Sequence, residues 1–432
     1  RAPTGADISY LCHSCGSYHT REVGEELIRE RRPLEEAGFV LDSKTVITRD
    51  ITMPPQFIKE IRVNHGGKGV KAAITDFFLG NNAMLLDLKD KLDSIKPLDF
   101  KKTEGEKFSA VTCAQLDGKW MTSVKPLPDT VCVGDGKAGM VMVPMPCLVI
   151  NEKSEPVGLA MNGVLPVDDS WQGSPLKWEK ITVKELSARL KDLEKLADDS
   201  LLRVTINLRS SSAKGGQFEG LRRRMHYSGE GESSDTEVNA VGVCIGRKRL
   251  LVLANLQPET TARLEKIRAF DKEGNAIEGK FSANLQDFGA MLVTTEKDLP
   301  GVVKMQDIEP DSIKNKLLLK AEITVAGEQR IADYWDSRLT GFKPGRDNKL
   351  YPMVSGQDRQ AFVFTTEKEL VTMPVILKDR AAARSSRSHY HSNTPQLIMC
   401  SYLKGGLEKG DAANVPLDEK MEKRTAWLGF SL

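Results

Sequence analysis

Along most of this 432-residue chain the apolar positions come in short runs rich in valine, isoleucine and leucine, cut by Gly, Pro, Asn and Asp. Turn residues recur too often for helices of ordinary length, and the pattern predicts antiparallel strands in a barrel or sandwich. Residues 38–98 carry it first. Gly38-Phe39-Val40-Leu41 meets a turn-prone Asp42-Ser43-Lys44, then the β-rich Val46-Ile47-Thr48 and Pro54-Pro55. The segment Ile58-Lys59-Glu60-Ile61-Arg62-Val63 follows, then Gly66-Gly67, then Asn81-Asn82-Ala83-Met84-Leu85-Leu86. Residues 108–121 and 124–133 continue the theme. The apolar run 140–150, a polar turn at 151–155 and Pro156-Val157-Gly158-Leu159-Ala160-Met161 read as a hairpin.

The period changes at 183–199. Val183, Leu186, Leu190, Leu193 and Leu196 stand three or four apart with charges between them, which predicts an amphipathic helix whose leucine stripe packs inward. Beyond it the first pattern returns. Gly242-Val243-Cys244-Ile245, Leu250-Leu251-Val252-Leu253, Pro258, Lys266-Ile267-Arg268 and Phe288-Gly289-Ala290-Met291-Leu292-Val293 repeat the order of residues 38–92 at nearly constant spacing, as in a duplicated unit. A strand at 317–325, a hairpin at 361–371 that echoes 147–157, and a strand at 396–402 complete the second copy. The Ser-, Gly- and Arg-rich stretch 210–234 and the polar stretch 382–394 read as loops, and 25–36 as a short surface helix.

Length agrees with duplication, because a single core rarely grows past about 250–300 residues. The chain divides into 1–199, closed by the helix, then 200–423, with 424–432 left over. A 40% hydrophobic and 28% charged composition describes an ordinary globular protein, and no apolar run approaches the roughly 18 residues of a membrane-spanning helix. The formal charge is only +2, and the basic clusters at 222–224 and 380–387 are short and loop-like, so solvated loops are favoured over a nucleic-acid footprint. Seven thinly spread cysteines do not form a disulfide framework and leave the compartment open. The chain begins at Arg1, so removal of a leader is left open as well.

Candidate chemistry is sparse. Cys12 and Cys15, separated by two residues, with His19 as a third ligand, form half of a zinc site; a plain pair or a disulfide is the favoured reading of the same thiols. His389 and His391 have the spacing of one strand face but no third partner nearby, and His65 beside Gly66 reads as a solvent-facing turn residue. Cys147 is a nucleophile candidate, although its Pro-Cys-Leu-Val setting is that of a buried thiol.

Together these residues resemble a known family, the trypsin-like serine proteases of the HtrA type, built from two six-stranded β-barrels per domain. In that family a Gly-Phe-Val-Val-like strand leads to Leu-Thr-x-x-His, an Ile-x-Val strand and Asp-x-Ala-Leu-Leu. A Gly-x-Ser-Gly-Gly-Pro turn then precedes an apolar hairpin. Residues 38–41, 46–48, 61–63, 83–85 and Pro146-Cys147-Leu148-Val149 match this frame. The implied fold is all-β, two tandem trypsin-like domains joined by the amphipathic helix.

The resemblance sets the histidine position at Ile51 (Asp50 with a one-residue slip), the aspartate at Asn81 and the serine at Val143. In the second copy the equivalents are Leu256, Phe288 and Gln357, with Asp287 one residue from register and Ser355-Gly356 near the serine turn. None of the six can take its part in acyl transfer, which needs a hydroxyl, an imidazole to accept its proton and a carboxylate to orient that imidazole. Pro144 also lacks the amide hydrogen that an oxyanion hole would use. Residues 424–432 resemble the opening of a PDZ domain, whose Leu-Gly-Phe-type loop receives a peptide carboxylate.

The expectation is therefore an inactive protease homologue that binds or scaffolds a protein or peptide, with no nucleic acid, no membrane span and no cofactor beyond a candidate zinc. The resemblance implies a periplasmic setting. The alternatives are a hydrolase using Cys147, a zinc-dependent site at Cys12, Cys15 and His19, or a structural part of a larger assembly.

Overall fold

The computed structural model describes residues 7–11, 18–22, 34–51, 58–92, 95–102, 107–116, 119–127, 140–142, 146–161, 164–166, 171–209, 236–254, 256, 261, 263–285, 288–313, 316–344, 350–354, 361–375, 396–403 and 407. They are mainly β-strand. A short ladder pairs β1 (Asp7–Leu11) with β2 (Tyr18–Glu22). The first large group holds β3 (Gly38–Val40), β4 (Thr45–Arg49), β5 (Ile61–His65), β6 (Lys68–Phe78) and β7 (Ala83–Leu88), ordered β3-β4-β7-β6-β5. The second holds β8 (Phe108–Leu116), β9 (Lys119–Pro126), β10 (Met140–Met142), β11 (Cys147–Asn151), β12 (Pro156–Ala160) and β13 (Val164–Pro166). Its strands form a sheet β12-β11-β8-β9 and a separate pair β10-β13.

A short β14 (Lys180–Thr182) returns to the end of β6 and runs straight into the helix α1 (Val183–Ser200). The helix starts where it does because Thr182 and Glu185 form a reciprocal capping box. Its buried residues Leu186, Leu193 and Ala197 lie along the predicted stripe. At its far end Arg330 donates to the Ala197 and Leu201 carbonyls and pairs with Asp198 at 2.9 Å, which satisfies acceptors that the last helical turn leaves open.

The third group is β15 (Leu201–Leu208), β16 (Glu237–Gly246), β17 (Arg249–Val252), β18 (Leu264–Phe270), β19 (Ala276–Leu285) and β20 (Ala290–Thr295). These six close into a barrel ordered β15-β16-β17-β20-β19-β18. After the short α2 (Pro310–Ile313) comes the fourth group: β21 (Leu317–Ala326), β22 (Gln329–Pro344), β23 (Leu350–Val354), β24 (Ala361–Phe364), β25 (Leu370–Val375) and β26 (Gln396–Met399), in a sheet ordered β23-β22-β21-β24-β25-β26. Counted within its own group, every pairing of the fourth group recurs in the closed barrel, which adds the pairing of third strand with sixth that closes it. The smaller ladders of the second group, β9-β8-β11-β12 and β10-β13, obey the same adjacency, and the first group, with β3 taken as the second strand, shows the part that runs from the second strand to the fourth.

Alternation along the strands explains the layering. In the closed barrel Leu202, Val204, Leu250, Val252, Met291 and Val293 fill the interior, while Leu251, Ala290 and Leu292 face outward into a cluster shared with Leu319, Phe362 and Phe364 of the fourth group. Gly242 lets β16 turn across this interior: a Cβ there would stand 2.7 Å from Val204 and 3.0 Å from Leu250. The first group behaves alike, with Ile47, Ala83 and Leu85 packed against Leu159 and Met161 of the second.

Some expectations change. The strand expected over 396–402 ends at Met399, and residues 400–403 are helical. The 16-residue β22 was not apparent from sequence, because its charges, Gly341 and Pro344 mask the alternation that pairing with β21 and β23 enforces. Residues 25–33 of the expected surface helix lie outside the described residues, and 34–36 take no regular structure.

Candidate functional site

Strands β4 and β7 pair antiparallel, Ile47 opposite Leu85 and Arg49 opposite Ala83. The ladder ends with the Asp50 amide donating to the Asn82 carbonyl at 3.1 Å, so Asp50-Ile51 and Asn81-Asn82 lie side by side. Two of the three sequence-predicted positions of the first copy, Ile51 and Asn81, are thus brought together. Ile51 packs half-buried on the apolar cluster. Asp50, 3% exposed, receives Arg338 Nε at 2.8 Å, and Arg338 Nη2 donates to the Phe78 carbonyl at 2.8 Å. Arg338 belongs to β22, so a strand of the fourth group inserts its guanidinium into the end of the first. Nearby, the Leu317 amide donates to the Leu79 carbonyl at 2.7 Å.

Two positions before Arg338 lies Asp336, also buried. Burial, and secondarily the negative Asp50, push its carboxyl up to about 7, against partial relief from Arg338 and Lys320. One guanidinium serving two buried carboxylates is best satisfied when one of them keeps its proton. Lys320 itself pairs with Glu322 at 2.8 Å.

The other candidates lie apart from this pair. Cys147 is fully buried, and burial pushes its thiol up to about 12, away from the thiolate that a nucleophile needs. Burial also pushes Cys244 up to about 12 and raises Cys400. His65 ends β5 in an exposed position and borders an open hollow of about 330 Å³ lined by Phe39, Val40, Ile95, Leu98 and Leu148, with no hydroxyl or thiol on its walls among the described residues. In the second copy Leu256 is buried and its carbonyl accepts from Asn284 Nδ2 at 3.0 Å, and Phe288 packs on the shared apolar cluster.

Val143, Pro144, Asp287, Ser355, Gly356, Gln357, Cys12, Cys15, His389, His391 and residues 424–432 lie outside the described residues, and His19 is placed only as the β2 partner of Tyr10. Among the described residues no three metal-ligating side chains cluster, and no helix is long and apolar enough to cross a membrane.

Sequence reading missed Arg338 and Asp336. A carboxylate and an arginine two apart in a β-rich run share one face, and that spacing was the available signal.

No protein-family model and no curated protein matches the chain. Solved structures do. An HtrA-type protease AlgW with a tripeptide aligns at TM-score 0.33 and 8% identity over 51% of this chain and 62% of its own. AlgW with a decapeptide aligns at 0.33 and 9% over 51% and 66%. A serine endoprotease from Yersinia pestis aligns at 0.31 and 12% over 51% and 65%. The chain spans less than two thirds of the length of each. What the coordinates define by themselves is an all-β protein of barrel-like antiparallel sheets.

Proposed function

We propose that the chain is a tandem pair of trypsin-like domains that no longer cleaves peptides and acts as a protein-binding, regulatory or scaffolding module. The recurrence of one strand adjacency through four groups supports tandem two-barrel domains. The observation that carries inactivity is the Asp50–Arg338 pair: where the family resemblance expects an imidazole beside an aspartate, the chain holds a buried carboxylate neutralised by an arginine of the fourth group, flanked by Ile51 and Asn81. An acid fixed in a buried ion pair is poorly placed to pass a proton to a leaving group. A periplasmic setting and a PDZ-like opening at 424–432 belong to this reading, and no cofactor is required by it.

Incubation with unfolded casein and a fluorophosphonate probe tests it. Neither cleavage nor labelling is expected; either one, retained after repurification and lost on Asp50→Asn, overturns the proposal.

A further inference from the structure

Strand β9 stands at the edge of its sheet, and it is unlike its counterparts. In the two later groups the second strand is held on both sides, β16 between β15 and β17, β22 between β21 and β23. Among the described strands β9 pairs with β8 alone. Every residue from 120 to 126 is exposed, including Trp120 at 44%, Met121 at 55% and Val124 at 59%. Alternation puts Trp120 and Val124 on one face and Met121 on the other, so each face of this edge, which has no second partner among the described strands, carries an exposed apolar side chain. A long exposed edge with large apolar side chains templates pairing with another strand unless something covers it.

We infer that β9 is a docking edge for an extended segment of a partner protein, added antiparallel to it, in which apolar residues alternate with acidic ones. Backbone pairing would supply affinity, and the side chains of β9 would supply selection. Charge decides between occupants. Strands β8 and β9 carry no acidic residue, whereas β9 carries Lys119 and Lys125 and Lys107 precedes β8. Antiparallel pairing of two β9 strands about Thr122 would set Lys119 opposite Lys125, and like charges directly opposed destabilise a ladder. A second copy is therefore disfavoured, and a segment bearing carboxylates at those places is favoured. The inference rests on the binding reading above and names the surface and the chemistry that the reading leaves open.

The test uses the whole chain and a fluorescent octapeptide alternating valine with glutamate, followed by anisotropy, beside a counterpart with lysine for glutamate. The acidic peptide is expected to bind at least about tenfold more tightly than the basic one, to lose at least about tenfold with Val124→Glu, and to keep its affinity with Lys280→Glu at an exposed position of β19. Binding that ignores Val124→Glu refutes the edge while sparing a binding function. Absence of binding to either peptide refutes the edge too, as does a dimer, seen by sedimentation, that Val124→Glu dissolves. Cleavage of the peptide refutes the binding reading instead.

Discussion

The first and third groups of strands share a sequence pattern and differ in closure. In the third, β15 pairs with both β16 and β18 and completes the ring. In the first, among the described residues, β3 and β5 are each held on one side only, and the interior-facing Val40, Ile61, Val63 and Val70 stay partly exposed. A closed barrel satisfies its backbone and buries its apolar face alone. The first group instead leans on its neighbours, through β14, through α1, and through the guanidinium of Arg338. Similar strands can therefore draw their stability from different distances along the chain.

The sharpest way to break the comparison is to remove that guanidinium. Arg338→Leu leaves Asp50 buried beside Asp336 with its opposite charge gone, and we expect a loss of about 3–5 kcal/mol in denaturant unfolding. If the cost comes from the stranded charge rather than from lost contact area, Asp50→Leu combined with Arg338→Leu should recover most of it. A double variant as unstable as the single one would show that the first group does not depend on neutralisation from the fourth.

Next in size is a pair of truncations that reads closure directly. Leu202 on β15 is 1% exposed inside the closed barrel, and Leu202→Ala should cost about 3 kcal/mol by loss of burial and the cavity left behind. Ile61 on β5 packs against its cluster while half-open to water, so Ile61→Ala should cost about 1–2 kcal/mol. Equal costs would mean that the first group is sealed as tightly as the third.

How much of this was legible in advance follows from range. The helix over 183–199 announced itself through its leucine spacing, a local signal, and it spans Val183–Ser200. The hairpin of β11 and β12 was equally local, a polar turn between apolar runs, with Asn151 Oδ1 accepting from the Lys153 and Glu155 amides. The positions Asp50-Ile51 and Asn81 were identified through motif order, and the β4–β7 ladder juxtaposes them. Arg338 could not be matched to Asp50, because nearly three hundred positions separate them and no local period encodes such a contact. Exposure of β9 was hidden for a similar reason: the pattern over 108–121 and 124–133 predicts strands without saying which of them, among the described strands, has a neighbour on one side only.

A smaller effect should appear with pH. Burial lifts Asp336 from 3.8 to about 7, so between these values the folded chain keeps a proton that the unfolded chain has released. Stability from this group is full below the unfolded value, falls as pH rises through the window, and levels off above about 7. Carboxylates held low act in the opposite sense and only in more acidic solution: Glu60 is lowered to about 2 chiefly by its hydrogen bond from Arg62, and Glu185 is lowered chiefly by the Thr182 amide. Urea midpoints from pH 4 to 8 should therefore decline in the native chain and flatten in Asp336→Asn. A decline that survives the substitution would place the titrating group elsewhere.

The smallest expected effect lies at the joint between the unlike barrels. Thr182 ends β14, which belongs to the first group, and caps α1, which delivers the chain directly to the closing strand β15 of the third. Its hydroxyl accepts from the Glu185 amide at 3.2 Å, and Glu185 accepts in return from the Thr182 amide at 2.9 Å. Thr182→Ala should cost about 1 kcal/mol, the usual worth of an N-cap, and Thr182→Ser should restore it. If the helix merely links two independent bodies, hydrogen exchange in Thr182→Ala should quicken only in its first turn. If it couples them, amides of β6 and β15 should quicken together with that turn, since β14 pairs with one and the end of α1 passes into the other. We expect the coupled outcome, because α1 shares one apolar cluster with Phe77 of β6, with Leu201 of β15 and with the fourth group.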